Sequence, residues 1–92
     1  MPMLTIQITD EFRHRYAELP AVVKKKALKQ ERLFRQNPFH PSLHTEKLEP
    51  KNKQVWSCRI DKTYRVIFRF VDGTTVVLLT AGHHKWIYTV GL

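Results

Sequence analysis

The stretch Trp56-Ser57-Cys58-Arg59-Ile60-Asp61-Lys62-Thr63-Tyr64-Arg65-Val66-Ile67-Phe68 decides the fold of this chain. Read with the two-residue period of a strand, Trp56, Cys58 and Ile60 share one face of a first strand. Tyr64, Val66, Phe68 and Phe70 share one face of a second. With Asp61-Lys62-Thr63 as the turn, Ile60 pairs with Tyr64. Arg59 then lies directly across from Arg65 on the opposite face. Like charges opposed across strands are destabilising, so such a pair invites an anion between its guanidinium groups, and a phosphate suits two planar forks. Two arginines on a solvated face is the plainer reading of the same geometry.

Outward from the hairpin, the sequence alternates or repeats in a simple order. Leu4, Ile6 and Ile8 alternate with Thr5 and Gln7, which predicts a first strand. Thr9 or Asp10 caps a helix whose Phe12, Tyr16 and Leu19 share a face. Pro20 suits the first position of a second helix, which runs to about Asn37 and stops at Pro38. On that helix Val23, Ala27 and Phe34 form an apolar stripe that Val22 and Leu33 widen, while Lys24, Lys25, Lys29, Arg32 and Arg35 fill the opposite arc. Residues 38–54 are irregular and proline-rich, with His44–Leu48 as a short candidate edge strand. Asp72-Gly73 turns the chain into a last strand, Thr75 to Ala81. Gly82 breaks the pattern, and a short terminal stretch follows. The predicted fold is α+β, β-α-α-β-β-β: a small antiparallel sheet packed on one side by a helical hairpin, all within one domain spanning residues 1–92.

Composition narrows the function classes. The chain has 92 residues, enough for one small core, and 42% of them are hydrophobic. Mean hydropathy is -0.39, and the longest aliphatic run, Val76-Val77-Leu78-Leu79, falls far short of the ~20 residues that span a bilayer. With no basic-then-apolar leader, and with Cys58 the one cysteine, a reducing cytoplasm is the expected compartment. Cys58 sits in a patterned strand, where a core role is expected. Sixteen Lys and Arg against eight Asp and Glu give a net charge of +8. Eight of the basic residues lie between Arg13 and Arg35, against only Glu18 and Glu31. A solvated face usually mixes signs, so this excess points to a polyanionic partner such as nucleic acid or the ribosome.

No phosphate loop, Ser-His-Asp order or zinc-finger spacing occurs, and Pro38 and Pro41 argue against a helix that would align His40 with His44; no metal or other cofactor is expected. The suggestive constellation is Glu46, Lys47, Arg59, Arg65, His83, His84 and Tyr88, placed mostly on or beside the sheet face opposite the helices. RNA can be cleaved without metal when a base takes the ribose 2′-OH proton, cations stabilise the phosphoryl group and an acid protonates the departing 5′ oxygen. Glu or His can serve as base, His or Tyr as acid, and Arg and Lys as stabilisers. Each residue also has a structural reading: Glu46 can pair with a lysine, and Trp86 and Tyr88 can anchor the chain end.

Leu43-His44-Thr45-Glu46-Lys47-Leu48, Trp56-Ser57-Cys58-Arg59-Ile60, Tyr64-Arg65-Val66-Ile67-Phe68 and Gly82-His83-His84 with Tyr88 together resemble the RelE/ParE superfamily of bacterial type II toxins. The resemblance covers nearly the whole chain, with the Tyr64–Phe68 strand its most specific piece. It implies a microbial RNase-like fold and, for the RelE, YoeB and YafQ branches, an endoribonuclease that cuts mRNA in the ribosomal A site, contacts ribosomal RNA, and is neutralised by a cognate antitoxin encoded beside it. Carried over by position, Arg65 would stabilise the transition state and Arg59 would be a basic residue of the preceding strand. Glu46 falls where YoeB keeps its general base, His84 where YoeB and YafQ keep a catalytic histidine, and Tyr88 near a tyrosine used by RelE. The expected catalytic set is thus Arg65, His84, Glu46 and Tyr88, with Arg59, Lys47 and His83 binding phosphate. The chain lacks RelE's lysine pair on the Trp56 strand and its arginine after Gly82. Two alternatives share the fold or the charge: a ParE-like poison of DNA gyrase that cuts no RNA, and a non-catalytic module that binds RNA or ribosomes.

Overall fold

The computed structural model describes residues 3–87. Along the chain it places β1 (Thr5–Ile8), α1 (Asp10–Ala17), α2 (Ala21–Gln36), β2 (Glu46–Lys47), β3 (Trp56–Arg59), β4 (Tyr64–Phe70), β5 (Thr75–His83) and α3 (His84–Ile87). Local chemistry sets the boundaries. Thr9 is extended and its Oγ1 accepts from the Phe12 amide at 2.9 Å, capping α1. The same hydroxyl donates to the Leu79 carbonyl at 2.8 Å, which ties the start of α1 to β5. Pro20 stands one residue before α2 rather than as its first residue, and Asn37, extended, ends the helix before Pro38.

The five strands lie in the order β1-β5-β4-β3-β2. Neighbours from β2 to β5 are antiparallel, but β1 runs parallel to β5, with Thr5 opposite Thr75 and Ile8 opposite Leu78. The sheet is therefore mixed, not wholly antiparallel. The helices carry the chain from β1 across the sheet to β2, and the β3-β4-β5 meander returns it beside β1 pointing the same way. A β-bulge at Ile67/Phe68 leaves Leu79 without a partner opposite, since Ile67 pairs with Thr80 and Phe68 with Leu78. This offset lets Leu78 and Ala81, an odd number of residues apart, both pack against the helix-side core.

That core joins Phe12, Leu19, Val23 and Phe34 of the helical region to Cys58, Val66, Phe68, Val76 and Ala81 of the sheet, with Phe34 meeting Phe68 edge-on at 5.0 Å. Burial of each large side chain contributes about 1.5–3 kcal/mol. Val22, expected in the apolar stripe, is 59% exposed. The other sheet face is not fully open. Its centre holds a second cluster, Val55, Ile67 and Ile87, flanked by Leu48, Leu79 and Trp86. Gly82 does not end β5, which continues to His83; α3 then turns the chain back over this face.

Candidate active site

The hairpin that opens the sequence forms with the expected register, Arg59 opposite Arg65 and the Ile60 amide bonded to the Tyr64 carbonyl at 3.0 Å. Its turn is organised by Asp61. One carboxylate oxygen accepts from the Thr63 and Tyr64 amides, each at 2.8 Å, and the other pairs with Lys26 Nζ at 3.2 Å. Burial pushes the Asp61 carboxyl up, but the Tyr64 and Thr63 amides and the Lys26 ammonium outweigh it and hold the group below its ordinary range. The folded turn presents its carbonyls to Arg65, whose Nη1 donates to Asp61 O at 2.7 Å, Lys62 O at 3.0 Å and Tyr64 O at 3.2 Å. One edge of the guanidinium is thereby fixed. Among the described residues, no carboxylate forms an ion pair with Arg59 or Arg65.

The end of β5 delivers the histidines to this turn. The His84 amide donates to the Thr63 carbonyl at 2.8 Å. Its imidazole stacks on His83 with centroids 4.7 Å apart, and His83 meets the Tyr64 ring at 5.6 Å. Partial desolvation, then the charges of His83, Arg65 and Lys85, lower the pKa of His84 from its ordinary value of 6.5. The lowered pKa favours the neutral imidazole, the form able to accept a proton. His83 Nδ1 accepts from the Lys85 amide at 3.0 Å, an arrangement that assigns the proton of the neutral ring to Nε2.

A family model described as RelE-like toxin of type II toxin-antitoxin system HigB matches residues 10–83. The chain belongs to the HigB-like family of RelE-like toxins. A search of curated protein sequences finds no significant match. Solved structures are more informative about the fold. The toxin is similar to a chain of the toxin-antitoxin complex RelBE2 from Mycobacterium tuberculosis, with TM-score 0.73 and 24% identity over 91% of this chain and 100% of that one. It is similar to the YoeB/ParE toxin from Agrobacterium tumefaciens (TM-score 0.71, 20% identity, 88% and 99% covered). YafQ from E. coli matches at TM-score 0.67 and 11% identity, covering 92% of this chain and 98% of that chain.

The structure brings only part of the expected constellation together in the toxin. Arg59, Arg65, His83 and His84 converge on the turn end of the hairpin. Glu46 is exposed on the edge strand β2, opposite Ser57, on the same face as Arg59. It stands two strands and a two-residue step from Arg65, about 12 Å between Cα atoms by standard strand spacing. Lys47 turns the other way. It pairs with Trp56, and its Nζ lies 5.8 Å from the centroid of that indole, on the helix-facing side, so it does not share the face of the arginines. Tyr88 lies outside the described residues. Cys58 is buried and its thiol is pushed up to about 12, which suits a core residue and not a nucleophile. Among the described residues no three His, Cys, Asp or Glu side chains gather as a metal site, and His40 uses Nδ1 to accept from the Ser42 amide.

Asp61 and Trp86 do more than their turn and anchor readings imply. From the sequence Asp61 reads as a turn residue; its hydrogen bonds to the Thr63 and Tyr64 amides follow from an Asp placed two residues before an amide N–H, a readable turn motif. Trp86 rests on Gly82, and no local pattern announces that contact.

Proposed function

We propose that this toxin is an endoribonuclease that cleaves ribosome-bound mRNA in the A site by metal-independent attack of a ribose 2′-OH on its own 3′ phosphate, and that a cognate antitoxin neutralises it. The observation carrying the reading is the opposed Arg59–Arg65 pair, without carboxylate partners among the described residues and with one guanidinium pinned by three carbonyls of the hairpin beside His84. In this reading His84 takes the 2′-OH proton as the oxygen bonds to phosphorus. The free edge of Arg65, with Arg59, stabilises the charge on the phosphoryl oxygens, and the pinned geometry means little reorganisation as that charge grows. An acid then protonates the 5′ oxygen as the P–O5′ bond breaks; Tyr88, one of the groups the sequence offers for that step, lies outside the described residues. Glu46, on the same sheet face and about 12 Å from Arg65 between Cα atoms, is the second candidate for the base, with its carboxylate approaching the ribose from the edge strand. The shallow sheet face gives little means of orienting RNA alone, so the ribosome supplies the orientation.

The test is cleavage of naked and ribosome-bound mRNA by wild type, Arg65→Ala and Arg65→Lys, mapped by primer extension. Arg65→Ala should lower the rate by about 10²–10³, and Lys should rescue poorly because an ammonium cannot bond the turn and a phosphate with one planar fork. Full activity in Arg65→Ala sinks the catalytic assignment, and equal cleavage of both substrates refutes the ribosome requirement. Because Arg65 also caps the turn, a thermal melt must accompany each rate.

A further inference from the structure

His84 begins a single helical turn, α3, and so short a segment does not hold itself in place. Among the described residues, three sets of contacts help to hold it. Its amide is bonded to Thr63, as described, and Ile87 is fully buried against Val55 and Ile67. The third runs through Trp86. The indole lies so close on the backbone of Gly82 that a Cβ there would fall 2.0 Å from Trp86 Cζ2. Arg15 of α1 is stacked on the ring with its Cζ 4.9 Å from the centroid. Arg15 is itself aimed by Glu11, whose Oε2 accepts from Arg15 Nε at 2.8 Å and from the fully buried Thr80 Oγ1 at 3.0 Å. A continuous chain of contacts therefore links the middle of β5 through α1 to Trp86 and back to Gly82, which is the register partner of Arg65.

We propose that Trp86 and Arg15 are positioning residues for His84: α1 presses the indole onto Gly82 and so fixes the imidazole against the Arg65 end of the hairpin. The kinetic consequence rests on the nuclease reading, whereas the placement of His84 does not. Gly82 is the sharpest probe. It is not in a left-handed conformation, so Ala suits its backbone, and the added methyl displaces the indole while changing no charge. Arg15 is half exposed, so replacing it leaves the core intact. The charged groups acting on His84 are His83 at the end of β5, Lys85 on α3 and Arg65 on β4; Arg15 is not among them.

The experiment follows the His84 imidazole by NMR titration in wild type, Gly82→Ala, Arg15→Ala and Arg15→Lys, with thermal melts and with cleavage of ribosome-bound mRNA measured in parallel. In Gly82→Ala and Arg15→Ala the titration midpoint should rise toward the ordinary histidine value as the ring gains solvent. The kcat should fall by about 10–100-fold, the cost of a small misplacement of a reacting group, with KM little changed. Arg15→Lys, which keeps a cation over the ring, should restore much of both. A wild-type midpoint and wild-type kcat in Gly82→Ala and Arg15→Ala overturn the proposal. If Gly82→Ala fails to fold, Arg15→Ala decides alone. Shifted midpoints with no RNA cleavage by wild type would leave the positioning role standing and discard the nuclease.

Discussion

At the scale of single residues, His84 gives both the fold and the proposed chemistry a dependence on pH. Its folded-state pKa lies below the ordinary value of 6.5, so the folded toxin binds this proton less readily than the unfolded chain does. The contribution to stability is complete above the ordinary value and is lost as pH falls through the folded one. For a general base the same shift keeps activity into mildly acidic solution. A profile of kcat/KM against pH should show an ascending limb whose midpoint lies below 6.5, and His84→Ala should abolish that limb. A limb that survives in His84→Ala assigns the base elsewhere. The Arg59–Arg65 pair was legible in the sequence because a three-residue turn fixes the register of everything near it. Lys47 was not. Its face depends on where pairing begins after the irregular residues 38–54, and a shift of one residue inverts a strand.

Elements show the same division between what is local and what is not. The turn of the β3–β4 hairpin hangs on Asp61, which answers two amides and Lys26 and whose side chain is only 19% exposed. Asp61→Ala should destabilise the fold by about 1–3 kcal/mol and release Arg65, whose anchoring carbonyls belong to that turn. Asp61→Asn should cost less. The carboxyl is held below its ordinary value, so its stabilisation is present above that value and lost as pH falls through the folded one. Chemical denaturation at pH 7 and in acid should therefore show wild type converging on Asp61→Asn as pH drops, and parallel curves would exclude the role. The Thr9 cap of α1, the Val23 and Phe34 stripe of α2 and the alternation of β3 and β4 were readable because each is set within a few residues, whereas Val22 at the edge of the stripe stays exposed. The parallel pairing of β1 with β5 was not, since it is fixed by the route of the whole chain. Nor was the run of β5 through Gly82: that glycine reads as a breaker, yet it is there to accept an indole.

For the molecule as a whole, charge is unevenly spread. Lys25, Lys29 and Arg32 are exposed on α2, in a chain of net charge +8. Under the proposed function, binding to ribosomes should weaken steeply with salt, the slope of log K against log salt growing by ~0.7–0.9 for each phosphate contacted. Lys25→Glu with Lys29→Glu should flatten that slope and leave the melting temperature nearly unchanged. An unaltered slope would place the ribosome-facing surface elsewhere. No helix among the described residues is long and apolar enough to cross a membrane.

The pairing of β1 with β5 also sets an order of assembly within the toxin. Thr5–Ile8 is synthesised long before Thr75–Leu78, its partner in the sheet among the described residues. Contacts so distant in sequence close late and slowly. A growing chain can form its helices and close the arginine hairpin, yet it still lacks both the strand that completes the sheet and the histidine that follows it. Sheet closure and delivery of His84 are thus coupled, both waiting until β5 has been made, and under the proposed function a chain halted before β5 carries no assembled site.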